Sequence, residues 1–117
     1  MKMDDSLQRV YIREIEMIVR QLKAYEPQKI ILFGSCARGD FSDESDIDML
    51  IIKESDKLRP ARATEVYRLL RPLRRTIPFE PLVYTPAELE RSLAIGDPFI
   101  EDILREGKVL YERPASE

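Results

Sequence analysis

Apolar residues stand three or four positions apart in the first part of the chain and then gather in short runs. The first pattern predicts a helix over residues 6–24, which ends before Pro27. A carboxylate or hydroxyl at Asp4, Asp5 or Ser6 can cap this helix. The short apolar runs predict strands over residues 29–33, 46–52 and 79–84. The tail of the second strand is apolar on both faces, which indicates a central place in the sheet.

Prolines mark the helix starts in the second half of the chain. Pro60 suits the first position of a helix, and Thr85-Pro86 and Asp97-Pro98 combine a capping side chain with such a proline. The predicted elements are helices over 60–70, 86–93 and 98–106 and a last strand over 108–111. With a short helical turn from Ser35, the order α-β-α-β-α-β-α-α-β indicates one α/β domain over residues 1–117, with 113–117 as a frayed tail.

Composition narrows the function classes. Apolar residues make up 44% of the 117 residues and the formal net charge is −3, so we expect a globular domain without direct nucleic-acid binding. Histidine is absent, which excludes His general bases and His metal ligands. Cys36 is the one cysteine, so no intrachain disulfide can form. No signal peptide or membrane-length apolar run is present, and we therefore expect a cytoplasmic protein.

The stretch over residues 32–52 carries the candidate chemistry. Gly34-Ser35 is followed by ten residues and then by Asp46 and Asp48, with an apolar strand on either side. Alternation along a strand points both carboxylates to the same side, where they repel each other. A divalent cation between them reverses that repulsion, and oxygen ligands select Mg²⁺ or Mn²⁺.

The turn before these carboxylates predicts a phosphate cradle. Gly34 lets a ligand approach closely, and the following amides, the Ser35 hydroxyl and Arg38 can donate to phosphate oxygens. Glu80 opens the third strand and is the candidate third carboxylate for a second metal ion. Pro81 lacks an amide donor, so this strand should lie at a sheet edge or contain a bulge.

Other features have simpler interpretations. We interpret Cys36 as a small neutral packing residue and not as a nucleophile. For Glu80, the alternative to a metal ligand is an ordinary surface residue of the strand. The apolar stripe of the first helix is core, with contact to a second copy as the alternative. Six arginines indicate a solvated face or, alternatively, a contact for phosphate or an acidic partner; they are Arg59, Arg62, Arg68, Arg71, Arg74 and Arg75.

The same residues resemble the minimal nucleotidyltransferase (MNT) family, relatives of DNA polymerase β and kanamycin nucleotidyltransferase. The family pattern is Gly-Ser, ten residues and Asp-x-Asp, and residues 37–39 (Ala-Arg-Gly) match a common MNT sequence. Glu80 stands where an Asp is usual. The resemblance implies a nucleotidyltransferase fold, which is a small mixed β-sheet flanked by α-helices. It also implies transfer of AMP from ATP with release of pyrophosphate, on two Mg²⁺ ions held by Asp46, Asp48 and Glu80.

Two function hypotheses follow from this resemblance. MNT proteins are often antitoxins that add AMP to a HEPN-domain toxin, and we expect such a partner to be a separate chain. The acceptor would then be a protein hydroxyl. The alternative is a catalytically weak or inactive module that binds nucleotide and neutralises its partner by contact alone. Glu80 and Pro81 are the departures that keep this alternative open.

Overall fold

A computed structural model describes residues 5–114, and within that range the predicted helices and strands are present, except that the segment from Ser35 is a hydrogen-bonded turn and not a helix. The helices are α1 (Asp5–Leu22), α2 (Arg59–Leu70), α3 (Pro86–Ala94) and α4 (Pro98–Glu106). The strands are β1 (Lys29–Phe33), β2 (Ile47–Ile52), β3 (Phe79–Tyr84) and β4 (Lys108–Glu112). The proposed cap at Asp4 lies outside the described residues, as does most of the predicted tail, from 115 to 117.

The four strands form one mixed sheet in the order β3-β2-β1-β4. β1 pairs antiparallel with β2 and with β4, whereas β2 and β3 run parallel. The predicted mixed sheet with flanking helices is therefore confirmed, and so is the central place of the second strand. Among residues 5–114, no helix combines the length and the apolar character that a bilayer crossing requires.

Each face of the sheet has its own apolar cluster. Ile47, Met49 and Ile51 face the helices α1 and α2, where Ile18 and Val66 pack against them. The alternate residues of the strand belong to the opposite face, where the cluster includes Leu50, Ile52, Ile100 and Ile103. Since β1 runs opposite to the other three strands, its last residue and their first residues share one edge of the sheet, which we call the site end.

The boundaries differ from the sequence predictions by one or two residues. Asp46 precedes β2 instead of opening it, and the last turn of the first helix is a 3₁₀ turn over Lys23–Tyr25. The left-handed backbone of Glu26 (φ 59°) ends that turn one residue before Pro27. Helix ends commonly tighten in this way, because their last carbonyls lack regular partners.

One of the six arginines, Arg62, is buried and does not belong to a solvated face. This residue is only 5% exposed, and its guanidinium donates to the Val83 carbonyl at 3.0 Å and to the Glu88 carboxylate at 2.6 Å. Glu88 completes a capping box with Thr85 at the start of α3. Arg62 therefore joins α2, β3 and α3, which is a structural role that the sequence prediction of a solvated face missed.

Candidate active site

Three carboxylates lie at the site end of β2 and β3. Asp48 is the register partner of Glu80, and residues paired across neighbouring strands project from the same face. Asp46 lies two residues before Asp48, just ahead of the strand. Pro81 is buried in the edge strand β3, and the pairing of β3 with β2 continues past it without a bulge. The strand arrangement therefore brings Glu80 beside the Asp-x-Asp pair.

The pKa of Asp48 reflects the closeness of the other two carboxylates. Its pKa rises from 3.8 to about 6, chiefly because burial removes water and then because Asp46 and Glu80 add negative charge nearby. Like charges in a partly dry site disfavour the ionised form of each other. The site end thus holds an excess of negative charge that no described side chain neutralises in full.

Gly34 brings the turn after β1 directly against this group. Its backbone is left-handed (φ 77°), and a Cβ atom added there would lie 2.5 Å from Oδ2 of Asp48. No other residue has both the required backbone freedom and the absence of a side chain. The approach is also fixed by pairing, because the preceding residue, Phe33, is the register partner of Asp48.

The turn itself is closed by its own backbone. The amides of Ala37 and Asp40 donate to the carbonyls of Gly34 and Ser35, at 3.1 and 2.9 Å. The amides of Ser35 and Cys36 come before these bonds, and within the described residues neither donates to a carbonyl of this turn. The Ser35 hydroxyl donates to the Ser45 hydroxyl at 3.2 Å. The turn therefore presents amide groups beside Asp48 that suit phosphate oxygens.

The loop before Asp46 is held by buried side chains. The single proton of the Tyr11 hydroxyl on α1 is shared between the carbonyls of Ser42 and Ser45, at 2.7 and 2.5 Å. The Cys36 thiol donates to the Asp46 carbonyl at 3.3 Å. Cys36 is 2% exposed, and burial, followed by the charges of the two aspartates, raises its pKa to about 11. Its predicted place as a neutral filler is confirmed.

Arg38 lies at the outer side of the turn. Its guanidinium is within 3.6 Å of Asp40 and within 3.8 Å of Glu106 at the end of α4, and its side chain is half exposed. Both pairs are loose and solvated, so they hold the guanidinium weakly. A phosphate oxygen can therefore replace these partners at little cost, as the sequence prediction requires.

The donor set fits a hard divalent cation, although its present spacing is wide. Carboxylate oxygens are the ligands that Mg²⁺ and Mn²⁺ prefer. Within the described residues, no three acidic or cysteine side chains lie close enough together to ligate one ion. Charge coupling reaches further than coordination, so Asp48 senses both neighbours at this spacing. A cation bound among the carboxylates would offset their mutual repulsion.

A buried carboxylate on α1 holds the segment that leads into β3. Glu14 is 5% exposed and accepts hydrogen bonds from the amide and hydroxyl of Thr76, at 2.9 and 2.6 Å, and from the amide of Ile77 at 3.0 Å. Glu80 follows three residues later. Sequence reasoning missed this anchor. Its signal was an acidic residue on the apolar face of α1, between Tyr11 and Ile18.

The chain is similar to known proteins over most of its length. Residues 16–116 match the family described as "Polymerase beta, Nucleotidyltransferase". A protein of Methanocaldococcus jannaschii named as a putative protein adenylyltransferase is 36% identical over 90 residues, which cover 72% of this chain and 58% of that protein. A second protein of that name from the same organism is 32% identical over 74 residues, or 62% of this chain and 75% of the relative.

Two further comparisons define the extent of the similarity. A third relative of that name from the same organism is 66% identical, but only over 29 residues, or 25% of this chain and 29% of the relative. The chain therefore spans less than two thirds of two of these relatives. The crystal structure of a putative nucleotidyltransferase from Sulfolobus solfataricus superposes with a TM-score of 0.65 at 22% identity, covering 97% of this chain and 93% of that one. That likeness is one of fold.

Proposed function

The chain belongs to the polymerase beta nucleotidyltransferase family, and we propose that it transfers AMP from Mg²⁺-bound ATP to a hydroxyl group on a separate protein. One observation carries the proposal. The Gly34 turn lies directly against Asp48, whose strand neighbour is Glu80. This contact supports a single site in which the turn binds the phosphates and the carboxylates bind the cation.

The site residues fall into metal ligands and phosphate donors. We assign Asp46, Asp48 and Glu80 to the metal ions. We assign the Ser35 hydroxyl, the turn amides and Arg38 to the phosphate oxygens. When bound, Mg²⁺ or Mn²⁺ neutralises phosphate charge and lowers the pKa of the attacking hydroxyl. We assign two ions to the three carboxylates, because Asp48 neighbours Asp46 along the chain and Glu80 across the strand pairing.

The transfer step balances as a displacement at phosphorus. The acceptor oxygen forms a bond to the α-phosphorus, and the bond from that phosphorus to the oxygen bridging to the β-phosphate breaks. Pyrophosphate leaves, and the proton of the acceptor hydroxyl passes to water at the open mouth of the site. Glu80 is the exposed carboxylate of the three, so we assign it to the acceptor end.

A protein acceptor is supported by the names of the relatives, which are putative protein adenylyltransferases. The resemblance to MNT proteins suggests a HEPN-domain toxin as that acceptor, and this chain as the antitoxin that inactivates it by AMPylation. The solvent-exposed Glu80 leaves the acceptor end of the site open to a large partner.

The alternative is inhibition of such a partner by contact, with nucleotide binding but no transfer. Two sequence features kept this alternative open, namely Glu80 in place of Asp and the neighbouring Pro81. The unbroken register of β3 past Pro81 supports the enzyme, because Glu80 is still opposite Asp48.

The proposal can be tested by label transfer. The protein, Mg²⁺ and the co-purified or genetically adjacent protein are incubated with ATP labelled on either the α- or the γ-phosphate. AMP transfer puts the α-label, and not the γ-label, on the acceptor. Asp46→Asn and Asp48→Asn should each reduce transfer by about a hundredfold or more, on the scale of lost transition-state charge stabilisation.

Asp56→Asn is the matched control, since Asp56 is an exposed acid in the loop after β2, at the other end of the sheet. It should transfer label like the wild type. A tight complex that forms without transfer, and that survives both site substitutions, would favour inhibition by contact and sink the enzyme hypothesis.

A further inference from the structure

A cleft opens beside the phosphate turn, on its α4 side. It has a volume of about 270 Å³, and its turn side is formed by Phe33, Gly34 and Arg38. Because Phe33 is the register partner of Asp48, its ring projects from the face that carries the carboxylates. The cleft therefore lies on the same face of the sheet as the carboxylates and shares Gly34 and Arg38 with the proposed active site. Its volume is just below the range of about 300–1,000 Å³ that is usual for small-molecule sites.

One stripe of α4 forms the opposite wall. Phe99, Asp102, Ile103 and Glu106 follow the spacing of a single helix face, and all four line the cleft. Glu106 lies nearest the turn, within 3.8 Å of Arg38. Phe99 is two turns away, roughly 10 Å along the helix axis. The wall thus runs from a carboxylate beside the turn to an aromatic ring at the far end.

The aromatic end is open on one side. The rings of Phe33 and Phe99 meet edge to face, with their centres 6.1 Å apart at an angle of 86°. Phe99 is still 52% exposed, so much of its ring has no protein partner. A planar ring that stacked on Phe99 would cover this surface.

The charges along the α4 wall select against phosphate on that side of the cleft. Asp102 and Glu106 place negative charge on the wall, whereas Arg38 lies at the turn end of the cleft. Asp102 is paired with Arg105 at 2.5 Å, whereas the contacts of Glu106 with Arg38 and Arg105 are longer, at 3.8 and 3.6 Å. Glu106 is therefore the freer acceptor, and hydroxyl groups are the neutral donors that suit it.

We propose that this α4 cleft is the nucleoside subsite. The base stacks on Phe99, the ribose hydroxyls donate to Glu106, and the phosphates extend from the ribose to the Gly34 turn. The inference rests on the proposed function, because it takes the turn and its carboxylates as the triphosphate site. Beyond the triphosphate site, it identifies the surface of the chain that would bind the nucleoside.

Binding of Mg²⁺-ATP is compared with binding of Mg²⁺ and inorganic triphosphate, which has no nucleoside. Phe99→Ala should weaken ATP binding by about tenfold or more, on the scale of base stacking, and leave triphosphate binding unchanged. Phe99→Tyr should keep ATP affinity. Leu104→Ala is the matched control, because Leu104 is an exposed apolar residue of α4 outside the cleft lining, and both ligands should bind it as they bind the wild type.

Glu106 is tested with the sugar. The wild type should bind 2′,3′-dideoxy-ATP more weakly than ATP, whereas Glu106→Gln should reduce that difference. Unchanged triphosphate binding shows that each variant is folded and that its phosphate site is intact.

The outcomes separate the two proposals. If Phe99→Ala binds ATP like the wild type, or weakens both ligands equally, the nucleoside assignment is wrong while the triphosphate site stands. The nucleoside assignment is also wrong if the substitution affects only binding of a protein partner or of a second copy. If the wild type binds neither ATP nor triphosphate with Mg²⁺, the proposed function itself fails.

Discussion

Charged side chains gather at both ends of the β2–β3 pair, and the two groups differ in balance. At the far end, Arg62 bonds to the Glu88 carboxylate, and this bond is the main reason why the pKa of Glu88 falls to about 2. At the site end, burial and the charges of Asp46 and Glu80 raise the pKa of Asp48 to about 6. The pKa values of carboxyl groups at the two ends of one strand pair thus shift in opposite directions.

The difference shows which group of charges stabilises the fold and which one destabilises it. A matched, hydrogen-bonded pair stabilises its own ionised state. Crowded carboxylates cost folding free energy, because each one disfavours the ionised form of its neighbours. Removal of a carboxylate charge should therefore lower stability at the far end and raise it at the site end.

The largest effect is expected from Arg62→Met. This change leaves Glu88 and the Val83 carbonyl without their buried donor, and removal of one partner of a buried pair costs about 3 kcal/mol. Denaturant unfolding would measure it. Arg59→Met is the matched control, because Arg59 also lies near Glu88, at 3.6 Å, but is 46% exposed. Its cost should stay below about 1 kcal/mol. An equal loss of unfolding free energy in the two variants would contradict a special structural role for Arg62.

Acid should remove the contribution of Glu88. Because its folded-state pKa is lowered from 4.5 to about 2, ionised Glu88 stabilises the fold above pH 4.5, and this stability is lost as the pH falls toward 2. Glu88→Gln should therefore cost about 1–3 kcal/mol at neutral pH, and the difference from the wild type should shrink on acidification. Glu90→Gln controls for loss of a charge on the same helix. A difference that does not change with pH would contradict the ion pair.

Gly34→Ala should cost about 2–3 kcal/mol and also abolish Mg²⁺-ATP binding. The left-handed backbone accounts for roughly 1–2 kcal/mol, and the Cβ contact at 2.5 Å from Asp48 Oδ2 adds the rest. Gly39→Ala is the matched control, since Gly39 has a φ of 79° and open space around its Cα. In an Asp48→Ala background, the excess cost of Gly34→Ala over Gly39→Ala should vanish. If it persists, Asp48 is not the group that requires glycine there.

The smallest effect has the opposite sign. Asp48→Asn should raise the free energy of unfolding by about 1–2 kcal/mol at pH 7 in the presence of a chelator, because it removes a partly buried charge that two other carboxylates repel. Asp56→Asn, at an exposed position, should change stability by less than about 0.5 kcal/mol. A loss of stability in Asp48→Asn would mean that other groups of the protein already compensate the negative charge of the carboxylates.

Sequence alone predicts most of the elements, because their signals are local. The bounds of β1, β3 and α4 follow from apolar runs and proline starts, and each is observed as predicted. All the candidate site residues except Glu80 lie within residues 34–48, so they could be predicted from the Gly-Ser and Asp-x-Asp pattern and the turn between them. The place of Glu80 opposite Asp48 depends on the parallel pairing of β3 with β2, which is a contact between segments distant in sequence.

Features that depend on distant partners could not be predicted. Arg62 and Glu88 are 26 residues apart, and nothing local shows that they meet. Glu14 holds Thr76 across 62 residues. The α4 cleft depends on how the helix docks beside β1, so Phe99 appeared in the sequence only as one of many apolar residues. Such contacts follow from packing, which periodicity does not specify.

The central claim is that the carboxylates and the Gly34 turn hold a metal–triphosphate, and thermal unfolding with Mg²⁺ and ATP tests it most directly. A ligand that binds only the folded state raises Tm, by roughly 10 °C at a concentration about a hundredfold above Kd. The wild type should show this rise, and chelation of Mg²⁺ should remove it. The double variant Asp46→Asn, Asp48→Asn should show no rise, whereas an equal rise in both proteins would contradict the claim.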